Sequence, residues 1–226
     1  MKCVILANGD YGNVDSCKWL LNEADIILCA DGGANYAYAM GIIPAYIVGD
    51  MDSILPQVMD YYKEQGVKFQ RYPQRKDFTD TQLILALAEE LNADEIIFLG
   101  SLGKRLDHTL SNLYCGAELA LKGKKVWHYT ANYSAYLVSN EINISGEIGD
   151  IVSVLVLTEQ AQGVYEEGFE YPLKNVILEK WNPYAISNVL AENEGIIKVR
   201  EGLLLVIHYH GLVRIRGIST IIQNSP

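Results

Sequence analysis

Short, continuous apolar runs alternate with longer amphipathic segments through the first half of the chain. The apolar runs are Val4–Ala7, Ile26–Ala30, Tyr46–Val48, Val67–Phe69, Glu95–Leu99 and Lys125–Tyr129. The segments with helical spacing are Val14–Leu21, Ala34–Met40, Pro56–Gln65, Thr79–Leu91 and Leu110–Leu121. Continuous apolar strands separated by helices are typical of strands buried on both faces of a parallel sheet. This half is therefore predicted to form a largely parallel α/β sheet.

After about Tyr133 the pattern changes to strand-sized segments without helices between them. These segments are Ser134–Val138, Ile151–Leu157, Val176–Leu178, Ile196–Arg200, Leu203–Tyr209 and Val213–Ile215. Many short strands with closely spaced turns predict a small all-β sandwich or barrel. Glu201-Gly202 is short enough to form a hairpin turn between two of them. We expect an α/β domain over residues 1–132 and a β-sandwich domain over residues 133–226.

Acidic residues follow the predicted strands of the α/β half. They are Asp31 in ADGGAN, Asp50 and Asp52 in GDMDS, Asp77 and Asp80 in KDFTD, and Asp107 in GSLGKRLDH. In open parallel sheets, ligands bind beyond the carboxyl ends of the strands. The order of the elements therefore predicts that carboxylates from four separate loops meet at one edge of the sheet.

Each of these carboxylates also has a purely structural interpretation. Asp77 or Asp80 could cap a helix, and Asp50 and Asp52 could be turn residues. Taken together, however, clustered carboxylates repel one another unless a cation lies between them. Mg²⁺ prefers oxygen ligands and commonly binds one or two carboxylates together with substrate phosphates. Asp50 and Asp52, with Asp80 as a third ligand, are the predicted metal-binding set.

Phosphate groups also require donors and cations. Gly32-Gly33 and the segment Gly100–Gly103 both lie between a strand and a helix, where backbone amides favour anions. Neither matches a Walker A loop or a dinucleotide fingerprint, so each is a weak signal when taken alone. Lys76, Lys104 and Arg105 lie beside them, and the planar fork of Arg105 makes it the best candidate to bind phosphate.

Composition narrows the class of protein. The 226-residue chain is half hydrophobic and carries a net charge of -10, which argues against a nucleic-acid-binding protein. Its four cysteines form no C-x-x-C pair and match neither a zinc site nor a disulfide framework. The apolar stretch Cys3–Ala7 is too short for a signal or membrane segment. We therefore expect reduced thiols, no membrane association and a cytoplasmic location.

The ordered motifs ADGGAN, GDMDS, DFTDTQ and GSLGKRLDHTLSN, followed by a β-rich tail that contains ISN, resemble the thiamine pyrophosphokinase family. The resemblance covers nearly the whole chain, and the order and spacing of the motifs are together highly specific. It implies Mg²⁺-dependent transfer of pyrophosphate from ATP to the hydroxyl of thiamine, with thiamine diphosphate and AMP as products. It also implies a nucleotide-binding α/β domain, a thiamine-binding β-sandwich domain, and a homodimer whose active sites lie at the subunit interface.

The resemblance also implies a role for individual residues. The metal ligands would be Asp50, Asp52 and Asp80, and the catalytic group would be Asp31, Asp77, Arg105 and Asp107. Residues that assist in binding the nucleotide would be Gly32, Gly33, Asn35, Lys76, Gly103 and His108. Thiamine would contact Tyr171, Ser187 and Asn188. The family often has tryptophan in place of Tyr171, and Trp181 is an alternative stacking residue.

Two other functions account for part of the pattern. A metal-dependent nucleotide-sugar transferase would explain GDMDS, but neither KDFTD nor the β-rich tail. A non-catalytic sensor of thiamine or nucleotide would bind its ligand without turnover, but binding alone does not require so many aspartates. The products formed from ATP distinguish these alternatives from the transferase.

Overall fold

The computed structural model describes residues 1–73, 77–103 and 105–213, without the side chains of Leu212 and Val213. Lys76, Lys104 and the end of the predicted strand Val213–Ile215 lie outside the described residues. The chain forms two compact units. One comprises Met1–Gly116 and Val126–Ala131, and the other comprises Ala117–Lys125 and Asn132–Pro226. The predicted division at residues 132 and 133 remains a prediction.

The first unit contains a parallel sheet whose strands follow the predicted apolar runs. The strands are β1 (Lys2–Leu6), β2 (Ile26–Ala30), β3 (Tyr46–Gly49), β4 (Lys68–Arg71), β5 (Glu95–Leu99) and β6 (Lys125–Tyr129). Their order is β6-β5-β1-β2-β3-β4, and the pairs from β5 through β1 to β4 are parallel. This confirms the predicted α/β class. Because β2 and β5 flank β1 on opposite sides, loops on both sides of β1 reach the same carboxyl edge.

Among the described residues of this unit, five α-helices lie between these strands, and a 3-10 helix (Val14–Cys17) precedes the first of them. They are α1 (Lys18–Asn22), α2 (Gly33–Ala39), α3 (Pro56–Glu64), α4 (Asp80–Glu90) and α5 (Leu106–Cys115). The apolar faces of α1, α2 and α3 pack with the fully buried strand residues Val4, Leu6, Cys29, Ile47 and Ile97. Helix α4 contacts β2 and β3. The helix predicted to start at Leu110 begins four residues earlier, at Leu106. The loops at the carboxyl ends of the strands form one edge of this unit.

The second unit is built from antiparallel strands and one short helix. The elements are α6 (Ala117–Leu121), β7 (Tyr133–Val138), β8 (Glu141–Ser145), β9 (Asp150–Val156), β10 (Gln160–Glu167), β11 (Leu173–Glu179), β12 (Asn188–Val189), β13 (Glu194–Lys198) and β14 (Leu204–Val213). One set has the order β12-β9-β14-β7 and the other β11-β10-β13-β8. Both sets contribute to one core, which includes Val154, Val206, Val164 and Ile197. The predicted β-sandwich class is confirmed.

The predicted hairpin at Glu201-Gly202 is wrong. The preceding strand β13 pairs with β8 and β10, whereas the following strand β14 pairs with β7 and β9. The carbonyl of Glu201 accepts a hydrogen bond from the Gln162 amide, and the amide of Leu203 donates to the Thr158 hydroxyl. Because β13 and β14 pair with different strands, the dipeptide leads the chain from one set of strands to the other. The two hydrogen bonds hold the turn in place.

No helix among the described residues is long and apolar enough to cross a membrane.

Candidate active site

A cleft of about 590 Å³ lies at the carboxyl edge of the parallel sheet. Its walls come from the loops after β1, β2, β3 and β5 and from the start of α4. The residues on its wall that the sequence predicted are Asp31, Asp50, Asp52, Asp80, Gly103, Arg105 and His108. The predicted convergence of sequence-distant acidic loops is therefore present in the first unit.

Three carboxylates form a compact cluster in this cleft. One oxygen each from Asp31, Asp50 and Asp52 lies within 4.8 Å of the other two. Asp31 follows β2 with a φ of 43°, and Met51, between the other two aspartates, has a φ of 70°. Left-handed backbone is rare for such residues, so two tight turns direct the carboxylates toward one point.

Asn35 holds the loop that contains Asp50 and Asp52. Its side-chain nitrogen donates to the Ser53 carbonyl at 2.9 Å, and its side-chain oxygen accepts from the Leu55 amide at 3.0 Å. Both ends of the Asn35 amide are therefore used to join α2 to the loop after β3. A direct contact between Asn35 and nucleotide stays a prediction, while its effect on the acidic loop follows from these bonds.

Asp31 is the most buried of the three clustered aspartates, with 8% of its surface exposed. Its Oδ1 atom is buried and has no hydrogen-bond partner among the described residues. Burial raises the pKa of Asp31, and the charges of Asp50 and Asp80 raise it further, although hydrogen bonds from Ser53 and Gly32 lower it. A buried carboxylate oxygen that lacks a partner and faces other carboxylates fits an oxygen-coordinated divalent cation.

Replacing Asp31 with asparagine is expected to raise the stability of the metal-free protein. The carboxylate has a raised pKa in the fold, so its ionisation near neutral pH opposes folding, and asparagine removes that cost. The gain should be on the order of 1 kcal/mol in the presence of a chelator. Thermal melts with and without Mg²⁺ would measure it, and the stabilisation by Mg²⁺ should shrink in the variant. If Mg²⁺ stabilised the wild type and Asp31→Asn equally, Asp31 would not be a metal ligand.

Asp80 is the first residue of α4, but it does not cap that helix. Thr79 does so, because its hydroxyl accepts from the Gln82 amide while the Gln82 side chain accepts from the Thr79 amide. Asp80 lines the cleft outside the cluster of three carboxylates, and its role as a metal ligand stays a prediction. Asp77 is exposed and does not line the cleft, so its catalytic role also remains untested.

The glycine-rich segment Gly100–Gly103 is held from several sides. The Gly9 amide donates to the Gly100 carbonyl at 2.6 Å, and Asn112 donates to the Ser101 carbonyl at 2.6 Å. The Ser101 hydroxyl lies 2.7 Å from Nδ1 of the buried His128. Burial lowers the pKa of His128 to about 3, so the imidazole is neutral at pH 7. The segment forms a rigid wall beside the carboxylates.

Gly32 and Gly33 permit close packing at the start of α2. A Cβ atom on Gly33 would lie 2.1 Å from the Leu6 carbonyl oxygen, and one on Gly32 would lie 2.5 Å from the Asn8 side chain. The helix can approach β1 only because these residues have no side chain. Neither glycine lines the cleft, so their contact with nucleotide stays a prediction.

Arg105 and Asp107 form an exposed ion pair at the start of α5. Nε of Arg105 lies 3.2 Å from Oδ1 of Asp107, and Nη2 lies 2.6 Å from Oδ2. The hydrogen bond from Arg105 is the main cause that lowers the pKa of Asp107. Asp107 therefore orients the guanidinium and is a poor proton acceptor, whereas Arg105 and His108 line the cleft.

Several cleft residues were not predicted. These are Asn8, Ser53, Phe78, Thr79, Thr81, Ser101, Ser111 and Asn112. Asn8 follows β1, so the rule that identified the aspartates would also have found it. Ser111 and Asn112 lie in the second turn of α5, at the end of the motif GSLGKRLDHTLSN, but nothing in the sequence assigns a role to either.

In the second unit, Asn188 connects the predicted thiamine contacts. Its oxygen accepts from the Tyr171 amide at 3.1 Å, and its nitrogen donates to the Tyr171 carbonyl at 2.9 Å. Ser187, directly before it, has a φ of 58°. Tyr171 and Trp181 are exposed, and the Trp181 indole donates to Glu159. The structure brings Tyr171 and Asn188 together, and their contact with thiamine stays a prediction.

Glu166 is buried beside Asn188, and its ionisation should set how stability depends on pH. Burial raises the pKa of Glu166 from 4.5 to about 7, opposed by the Asn188 hydrogen bond. Its contribution to the free energy of unfolding is therefore full below pH 4.5 and is lost as the pH rises to about 7. The loss should reach about 3 kcal/mol.

Glu166→Gln should remove this part of the pH dependence, because glutamine does not ionise. Denaturant unfolding between pH 5 and 8 would measure it. Glu167→Gln, at the exposed neighbouring position, is the matched control and should keep the wild-type slope. Identical slopes in wild type and Glu166→Gln would refute the assignment.

Family models match both halves of the chain. Residues 17–128 match the model described as the catalytic domain of thiamin pyrophosphokinase, and residues 136–204 match its vitamin B1 binding domain. The chain belongs to the thiamine pyrophosphokinase family. The catalytic model spans the loops that carry the clustered aspartates, and the vitamin B1 model spans Tyr171 and Asn188.

Thiamine pyrophosphokinases from other organisms are similar along most of this chain. The Bacillus subtilis enzyme is 28% identical over 207 residues, which cover 90% of this chain and 96% of the relative. Thiamine pyrophosphokinase 1 of Oryza sativa subsp. japonica is 26% identical over 200 residues, covering 76% of this chain and 75% of that one.

Solved thiamine pyrophosphokinase structures have the same fold. The Bacillus subtilis structure superposes with a TM-score of 0.81 at 25% identity, covering 93% of this chain and 99% of that one. The Candida albicans structure has a TM-score of 0.75 at 24% identity, covering 92% and 88%. At that lower identity the likeness supports the fold alone.

Proposed function

We propose that the protein transfers the pyrophosphoryl group of ATP to the hydroxyl of thiamine, giving thiamine diphosphate and AMP. The observation that carries this function is the cluster of three carboxylates in a cleft bordered by a glycine-rich segment and Arg105. Membership of the thiamine pyrophosphokinase family supports the same reaction.

Asp31, Asp50 and Asp52 are the residues suited to hold the divalent metal that this chemistry requires, with Asp80 as an additional ligand. Their donors are all carboxylate oxygens, which favours Mg²⁺ over metals that prefer nitrogen or sulfur. When bound, Mg²⁺ would neutralise charge on the phosphate chain. The buried, unpartnered Oδ1 atom of Asp31 supports this assignment.

The remaining cleft residues position the phosphates and stabilise their charge. Arg105 lines the cleft and would stabilise the charge of the phosphates, while its ion pair with Asp107 holds the guanidinium in place. The thiamine hydroxyl oxygen forms a bond to the β-phosphorus of ATP as the bond from that phosphorus to the α–β bridging oxygen breaks. AMP leaves with the bridging oxygen, and the hydroxyl proton passes to solvent. A loose transition state of this kind requires alignment more than a strong base.

Tyr171 is the residue that we assign to thiamine on the second unit. Its ring is 61% exposed, and its main chain is held on both sides by Asn188. An exposed aromatic face can stack on the cationic thiazolium ring, and Trp181 offers the alternative face. Thiamine is a cation, so the acidic cleft of a chain with a net charge of -10 favours its approach.

We further propose a cytoplasmic homodimer with active sites at the subunit interface. Large apolar side chains are exposed along one stretch of the second unit, at Tyr171, Trp181, Tyr184 and Ile186. Such exposed aromatic groups are typical of surfaces that meet a partner. Light scattering at several concentrations would test the dimer.

The proposed cytoplasmic location rests on the cysteines. All four cysteines are free thiols, as expected in a reducing compartment.

Incubating the pure protein with ATP, Mg²⁺ and thiamine tests the reaction. AMP and thiamine diphosphate should appear in equal amounts, and a chelator should stop both. Release of a nucleoside diphosphate would instead favour a sugar or phosphoryl transferase. Binding of thiamine with no turnover would favour a sensor.

A further inference from the structure

Glu166 is a buried acid in the second unit that the proposed reaction does not use. It lies on β10 with 2% of its surface exposed. The neighbouring residues on the same strand, Tyr165 and Glu167, are exposed because alternate side chains point to opposite faces. Across the sheet Glu166 pairs with Leu173 and Ile197, which are uncharged. A carboxyl group in these apolar surroundings requires a specific partner to be tolerated.

That partner is the side-chain nitrogen of Asn188, which donates to Oε2 of Glu166 at 2.6 Å. The same nitrogen also donates to the Tyr171 carbonyl, while the Asn188 oxygen accepts from the amides of Tyr171 and Val189. All four hydrogen-bonding positions of the amide are thus filled. A reversed amide would direct its oxygen at two acceptors and its nitrogen at two donors.

We infer that Glu166 is a positioning residue, which orients the Asn188 amide so that it clamps the main chain of Tyr171 on both sides. Tyr171 itself is 61% exposed, so little packing holds it in place, and the clamp fixes the main chain from which its ring projects. The neighbouring segment is tied in the same way, because the Glu170 amide donates to the Val189 carbonyl. For substrate, the inference rests on the proposed contact between Tyr171 and thiamine.

Two variants separate the hydrogen bond from the fold. Glu166→Leu removes the acceptor and puts an apolar side chain of similar size into the same apolar surroundings. Glu166→Gln keeps an acceptor for the Asn188 nitrogen, so it should restore the clamp. Glu167→Gln, exposed on the same strand, is the matched control.

Hydrogen exchange at the Tyr171 amide reports the clamp without any ligand. Protection of this amide should fall roughly tenfold in Glu166→Leu, the effect of losing one buried hydrogen bond. It should be close to wild type in Glu166→Gln and Glu167→Gln. Unchanged protection in Glu166→Leu would overturn the inference, whatever reaction the protein catalyses.

Steady-state kinetics report the effect on substrate. The KM for thiamine should rise roughly tenfold in Glu166→Leu, with kcat and the KM for ATP unchanged and with recovery in Glu166→Gln. A merely structural role would lower kcat and both affinities together. If Tyr171→Ala raised the KM for thiamine but Glu166→Leu did not, Glu166 would not position Tyr171 for substrate. Absence of thiamine turnover by the wild type would overturn the proposed function, and the exchange result would still decide the clamp.

Discussion

Replacing Asp52 with asparagine is expected to lower kcat by about 100- to 1,000-fold, because the change removes one charge from the cluster that we propose as the metal site. Asparagine has nearly the same shape, and Asp52 is exposed, so the fold should be retained. One oxygen from each of the three carboxylates lies within 4.8 Å of the other two. No other described acidic group belongs to this cluster, so none is placed to replace Asp52. Initial rates over a series of Mg²⁺ concentrations would measure both kcat and the activating concentration.

Asp60→Asn is the matched control for this prediction. Asp60 is an exposed residue of α3 that pairs with Lys63 and does not line the cleft. Its replacement should leave kcat and the Mg²⁺ requirement at their wild-type values. Wild-type activity in Asp52→Asn would show that Asp52 is not a metal ligand.

Arg105→Ala should have the second largest effect, a loss of kcat/KM for ATP of roughly 100-fold. The Arg105 side chain is 66% exposed, so the change should cost little stability. Lysine at this position keeps the charge but not the bidentate fork, so Arg105→Lys should recover only part of the activity. Steady-state rates with ATP as the varied substrate would measure the loss.

Asp107→Asn distinguishes orientation of Arg105 from direct chemistry. If Asp107 acts through Arg105, its replacement should have a smaller effect than Arg105→Ala and none in the Arg105→Ala background. Lys18→Ala, at an exposed ion pair of α1, is a neutral control for loss of a positive charge. Full activity of Arg105→Ala would show that the phosphates are stabilised elsewhere.

The parallel sheet was predictable because most of its strands, unlike β4 with the sequence KFQR, are separate apolar runs. Burial on both faces makes Ile26–Ala30 or Glu95–Leu99 apolar at nearly every position, and that pattern depends on no other part of the chain. Strand β10 behaves differently. Its sequence QAQGVYEE has few apolar residues, and its pairing with β11 and β13 defines it as a strand. Local composition does not predict such long-range pairing.

The beginning of α5 shows a similar limit. None of its side chains is fully buried, and Leu106 is 72% exposed. With no apolar stripe against the core, helical periodicity cannot mark the first turn. The cap of α4 differs from the sequence interpretation, which offered Asp77 or Asp80 as the capping residue. Thr79 caps the helix, and its spacing from Gln82 is that of a capping box.

The acidic cluster was predictable for a topological reason. The carboxyl ends of parallel strands share one edge, so Asp31 and Asp50 converge whatever their side chains do. The order of the strands does not predict how far apart these carboxylates lie. Nor does it predict the left-handed turn at Met51 or the two hydrogen bonds made by Asn35. The Asn188 clamp likewise joins positions 17 residues apart, and no spacing rule predicts it.

The contact between Gly33 and the Leu6 carbonyl limits how this cleft can be redesigned. A side chain cannot be added there, because the neighbouring atom belongs to the backbone of a buried strand. The backbone next to Asp31 is therefore fixed, and larger acceptor alcohols must be accommodated by other residues of the cleft. Phe78 lines the cleft and is 59% exposed, so shortening it would widen the cleft without opening a hole in the core.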